Sequence, residues 1–171
     1  MLLLDRHPRD TWIAQRSSDA DFWLEIHDGF RRACGAVAAA VDEHRGAQIT
    51  TLELAVRSAP RLRGLLAQLH GHHQVEDFNY FPALRRAEPR LGRGFDALER
   101  DHATLRDHAD AALASLDALL AAAGERDSGD APRHAAGRYA AASGRFCGAL
   151  ARHLADEEDL VVPLLLELRG K

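Results

Sequence analysis

A chain of 171 residues, 46% hydrophobic and 28% charged, is long enough to bury one core and reads as a single domain over residues 1–171. A formal charge of -4, with cations scattered among acids, leaves no basic footprint and argues against a nucleic-acid partner. No run is long and apolar enough to span a bilayer, Met1 to Leu4 is too short for a signal peptide, and two cysteines suit a reducing compartment, so a cytoplasmic protein without a membrane partner is expected.

Ala and Leu dominate and β-branched residues are sparse, a composition that favours helices. Residues 1–17 read as an arm, broken by Pro8, with Trp12 and Ile13 free to dock on the body. Ser18 or Asp19 is placed to cap a first long helix, in which Phe22, Ile26, Phe30, Ala33, Val37, Ala40 and Val41 recur at three and four and His27 lies beside the stripe. Gly46 supplies the stop. From Gly46 to Ala59 the alternation of Leu52, Leu54 and Val56 resembles a strand without a partner, and a long connection is expected there. Ser58 and Pro60 signal the second helix, which Leu62, Leu65, Leu66 and Leu69 carry to His72, with Pro82 bending or ending it.

Glu88-Pro89, Gly92 and Gly94 mark the next turn. A third helix follows from about Phe95 to Ala123, closed by Gly124. The polar run to Asp130 is a loop, Asp130 a cap, and Pro132 the first turn of a fourth helix through Tyr139, Phe146, Leu150, His153 and Glu157. Gly137, Gly144 and Gly148 in that helix suggest close packing against a neighbour. The fold expected is all-α, an antiparallel up-down-up-down four-helix bundle over residues 18–165 with an N-terminal arm.

The chemistry is concentrated between His70 and Pro82. His72 and Glu76 stand four apart on one helix face, so that imidazole and carboxylate converge on one ion. The pattern His-x-x-x-Glu-acid-x-x-x-x-Pro occurs at His72, Glu76, Asp77 and Pro82 and again at His153, Glu157, Glu158 and Pro163. A solvated helix face explains one copy; two copies sharing the acid and the proline point to one site. His27 and His102 lie about two turns into the first and third helices. Antiparallel topology then brings both to the level of the two pairs, since helices rise about 1.5 Å per residue. Glu99 and His102 form a single Glu-x-x-His motif, and one copy disfavours a ferritin-like site.

His27, His72-x-x-x-Glu76, His102 and His153-x-x-x-Glu157 together resemble the ligand pattern of the hemerythrin-like family, the HHE cation-binding domains, and Tyr80-Phe81-Pro82 is similar to the family's context. The resemblance implies a bundle holding two non-haem irons in an Fe-O-Fe centre, bridged by Glu76 and Glu157 with histidines as terminal ligands. Mixed imidazole and carboxylate donors independently suit iron, with manganese and zinc as competitors. The oxygen-carrying members have a second histidine one turn after the third-helix ligand, where Arg106 stands here, and an Asp five after the final histidine, where Glu157 follows His153 by four. The position vacated at Arg106 falls to His73, which shares Glu76's face, to His70, or to water; left open, it suits substrate or peroxide chemistry.

The function expected is binding or sensing of O2, NO or peroxide at this centre. An oxidase, oxygenase or peroxide- or NO-decomposing enzyme is the alternative, ahead of a merely structural metal. The bundle uses nearly all of the chain, so signalling would pass through a separate partner, and electrons through a redox partner. Tyr80, Cys34 and Cys147 are read as core packing, and His7, His44, His108 and His134 as surface residues.

Overall fold

The computed structural model describes residues 3–15, 18–124 and 130–169, without the side chain of Ile13; the polar loop 125–129 also lies outside the described residues. The helices are α1 (Leu3–Arg6), α2 (Trp12–Gln15), α3 (Ser18–Arg45), α4 (Thr51–Val75), α5 (Phe81–Ala87), α6 (Gly92–Gly124) and α7 (Ala131–Leu168). The long helices form a ring in which α3 packs on α4 and α7, and α6 on the same two, giving the up-down-up-down bundle. No described helix is long and apolar enough to cross a membrane.

Several local expectations are corrected. The connection from Gly46 to Ala59 is short, because α4 starts at Thr51 on a capping box: Thr50 accepts from the Glu53 amide, and the Glu53 side chain accepts from the Thr50 amide. Leu52 and Val56 are exposed while Leu54, Ala55 and Ser58 are buried, a helical face rather than an alternating one. Pro60 therefore lies inside α4 and does not open it. The stop of α3 is made by Ala47, at φ 55°, with Ala47 N–H donating to His44 O and Gln48 N–H to Glu43 O, so the left-handed residue follows Gly46. Ser18 is already helical, and Asp130 adjoins α7 without a side-chain cap bond. Gly137, Gly144 and Gly148 have no close backbone neighbour; the tight approach is at Gly94, where an added Cβ would meet Leu160 Cδ2 at 2.9 Å.

Pro82 does not end the second helix. Between α4 and α5 lies a π turn, Glu76–Tyr80, in which Phe81 N–H donates to Glu76 O, and helix resumes through Pro82 to Ala87. The arm docks on the far part of α7. Trp12 is buried with Val162 and Leu166, Arg9 pairs with Asp159 at 2.7 Å, and His7, expected at the surface, is half-buried between Gln15 and Glu167.

Beyond the cluster under the arm, two core layers flank the ligand level. The larger includes Phe30, Leu69, Leu105 and Leu150; the smaller includes Trp23, Phe81, Leu98 and Val161. On α3 and α6 the predicted ligands fall between residues of the two layers, His27 between Trp23 and Phe30 and His102 between Leu98 and Leu105, and along the second segment His72, His73 and Glu76 fall between Leu69 of α4 and Phe81 of α5. The polar level is therefore enclosed by apolar side chains along the bundle axis.

Candidate metal centre

On α3 the buried stripe is Ala20, Trp23, His27, Phe30, Val37, Ala40 and Val41. His27 is thus in the stripe rather than beside it, while Phe22, expected in the stripe, is 56% exposed. From α4, His72 and His73 leave the helix on adjacent faces, and Glu76 begins the π turn. His102 comes from α6, His153 and Glu157 from α7, all buried.

Ligand-capable atoms of these seven residues fall into two groups, each drawn within 4.8 Å: His27, His72, Glu76 and Glu157 in one, His73, His102 and His153 in the other. The carboxylates reach both. Glu76 Oε1 is 2.8 Å from His72 Nε2, and its Oε2 is 3.5 Å from His102 Nε2. Glu157 Oε1 is 3.5 Å from His27 Nε2, and its Oε2 is 3.3 Å from His153 Nε2. Each glutamate spans the groups with one oxygen toward each. Arg106 is exposed, and of the residues weighed for its place it is His73 that joins this level, its ring stacked on His102 with centroids 3.8 Å apart. His70 is exposed.

The buried polar atoms decide whether these residues suit a cation. Nε2 of His27, His72, His73, His102 and His153, both Glu76 oxygens and Glu157 Oε2 have no hydrogen-bond partner. Buried polar groups are normally paired, and an unsatisfied one costs about 1–3 kcal/mol. Eight on one level, all of metal-ligating types, fit cations between the two groups.

Two carboxylates outside the predicted set orient the lone histidines. Asp77 Oδ1 is 2.9 Å from His102 Nδ1, and Glu158 Oε1 is 2.9 Å from His27 Nδ1. With the carboxylate accepting, the ring proton sits on Nδ1 and the Nε2 lone pair faces the centre. Asp77 and Glu158 are the acids that follow Glu76 and Glu157 in the duplicated pattern. Each copy thus holds the single histidine of a neighbouring helix, α6 for the first and α3 for the second. The repeated acid was the sequence signal; its role needed the helix pairing. Arg31 donates to Glu158 Oε1 at 2.8 Å. Trp23 Nε1 donates to Glu157 Oε1 at 2.7 Å, a polar role that its apolar spacing concealed. Replacing Glu158→Gln is expected to weaken cation affinity about ten- to hundredfold with the fold intact, the usual cost of losing such a partner; unchanged affinity in a competition titration would rule this role out.

Without a cation the site is electrostatically divided. Burial lowers the proton affinity of His72, to a pKa of about 4, and of His73, to about 2, the latter helped by His102 and His153. Burial also lowers His102. These rings are neutral and ready to donate a lone pair. Burial opposes protonation of His27, and the Glu157 and Glu158 carboxylates overcome it and raise its pKa. Burial and the facing Glu157 push Glu76 up to about 11, while His153 and His27 outweigh burial at Glu157 and hold it well below the usual range. Glu76 therefore carries a proton at neutral pH that a cation would displace.

Tyr80 is not a core residue: it is 40% exposed and stands edge-on to Trp23, with centroids 5.0 Å apart. Cys34 and Cys147 are free thiols against the larger core layer, and their mutual hydrogen bond raises the pKa of the first and lowers that of the second. Glu99 pairs with Arg85 at 2.9 Å, away from the centre.

The family model for the hemerythrin HHE cation binding domain matches residues 18–165. No curated protein and no solved structure matches the chain.

Proposed function

We propose, from the premise that this chain belongs to the hemerythrin HHE cation-binding domain family, that it holds two non-haem irons side by side and binds a small ligand such as O2, NO or peroxide there. The observation that carries this reading is the set of buried, unpartnered Nε2 and carboxylate oxygen atoms. His27 and His72 would hold one ion, His73, His102 and His153 the other, and Glu76 and Glu157 would serve both. The iron pair supplies a Lewis-acidic, redox-active centre for the small ligand. Asp77 and Glu158 keep His102 and His27 in one tautomer, Trp23 fixes Glu157, and the two apolar layers limit water.

With His73 on the three-histidine side, the ion short of nitrogen donors is the one at His27 and His72. A small ligand would then meet the ion held by His27 and His72 rather than a position beside Arg106. A second reading, an enzyme, is favoured by one observation: an apolar cleft opens onto His72 and Glu76.

Purification from the native host under metal-controlled growth is expected to give about two irons per chain, one for each group of ligand-capable atoms. Zinc alone would sink both iron readings. Stopped-flow mixing of the reduced protein with O2 then separates the two: a stable, reversible adduct supports binding, and irreversible oxidation with turnover supports an enzyme.

A further inference from the structure

Beside the centre, between α3 and the end of α4, lies a cleft of about 440 Å³, in the size range of small-molecule sites. Its floor is polar and its walls, apart from the Gln68 amide and the Tyr80 hydroxyl, are apolar. At the floor are His72, at 11% the most exposed of the seven candidate ligands, and Glu76, buried with both oxygens unpartnered. Phe22, Ile26 and Phe30 of α3 form one wall, Val75 and Tyr80 the other. No Arg, Lys or Asp lines it, and the single acid is Glu76.

Phe22 at 56%, Val75 at 44% and Tyr80 at 40% hold large apolar surfaces in water around this opening. Clustered exposed apolar side chains of this kind mark a binding surface. A diatomic ligand or peroxide would occupy a small part of the volume and cover none of that surface. A charged ligand would find no counter-charge on the walls. The cleft across α4 differs: it reaches His73 past Arg106, Asp77 and Asp110, so it is charged at the rim.

We infer that the cleft between α3 and α4 is a binding site for an uncharged, apolar organic molecule with one polar tip, such as an alkylphenol. Its ring or chain lies between Phe22, Ile26 and Val75, and its tip points to the floor at His72 and Glu76. The direction of the tip rests on the iron reading above; the apolar walls do not. The occupant would sit on the side of the ion with fewer nitrogen donors, where a second reactant is useful.

The test is calorimetric titration of 4-propylphenol into the iron-loaded protein and into metal-free protein. Saturable binding is expected in both, with the visible absorption of the iron-loaded form shifting as the phenol saturates it. Phe22→Asp with Val75→Asp, both at exposed positions, is expected to weaken binding by at least about tenfold, roughly 1.4 kcal/mol, with iron content at the wild-type level. No saturable binding to iron-loaded protein, or equal binding by the double variant, overturns the proposal. A wild-type dimer that the double variant abolishes also overturns it, because the apolar surface would then belong to a second copy. Phenol binding by a protein that takes no iron would leave the cleft standing and remove the metal reading. Iron loading without phenol binding does the reverse.

Discussion

Glu157→Ala is expected to abolish binding of both irons. The side chain is fully buried, and its two oxygens face different histidines, Oε1 toward His27 and Oε2 toward His153. One truncation therefore removes a donor from each group and also leaves the Trp23 indole N–H without its acceptor. A cavity and an unpaired donor cost stability too, about 1–3 kcal/mol for the donor alone. Glu157→Gln separates the effects: it keeps the volume and an acceptor for Trp23, but an amide offers one oxygen where two are needed. Iron content by mass spectrometry should fall by about tenfold or more in both variants, the scale expected when even a supporting partner is lost. Circular dichroism should show the Gln variant folded. Wild-type iron content in a folded Glu157→Gln protein would overturn the assignment of Glu157.

Chelation is expected to lower the thermal midpoint by about 8–16 °C. A ligand present at a thousand times its Kd contributes about 4 kcal/mol, and for a chain of this length each kcal/mol moves the midpoint about 2–4 °C. The structural reason is specific. Without cations, five imidazole nitrogens and the facing carboxylates of Glu76 and Glu157 are buried among apolar layers with their polar needs unmet. Differential scanning calorimetry before and after chelation, with iron added back, reads this directly. A midpoint unmoved by removing and restoring iron would mean that the buried groups satisfy one another.

The bundle was legible because the apolar period persists through four segments, and His72, Glu76, His153 and Glu157 because one pattern appears twice. His27 and His102 were legible only through topology, as lone histidines placed at one level by antiparallel packing. His73 was not decidable from spacing: residues 72 and 73 differ by about 100° around a helix, and which side faces α6 and α7 depends on how α4 is rotated. The start of α4 was missed because the alternation of Leu52, Leu54 and Val56 and the start signal at Pro60 outweighed the Thr50-x-x-Glu53 box. Gly137 and Gly144 misled because they lie on an exposed face, where small residues pack against nothing. Residues 76–80 carry no periodic mark of the wider turn they adopt.

That wider turn decides which side chains close over the centre. An α-helix continued from Glu76 would carry residues 79 and 80 over the same face; the π turn instead brings Phe81, five residues on, into the core at 0% exposure and leaves Phe78 in water at 78%. The one-residue slip works as a phase offset between two registers, one fixed by the ligands and one fixed by the apolar cap of α5. The cap over the centre, and with it the mouth of the cleft at Tyr80, is thus set by the turn that begins at Glu76, so the same five residues place a candidate ligand and the lid of apolar side chains above it.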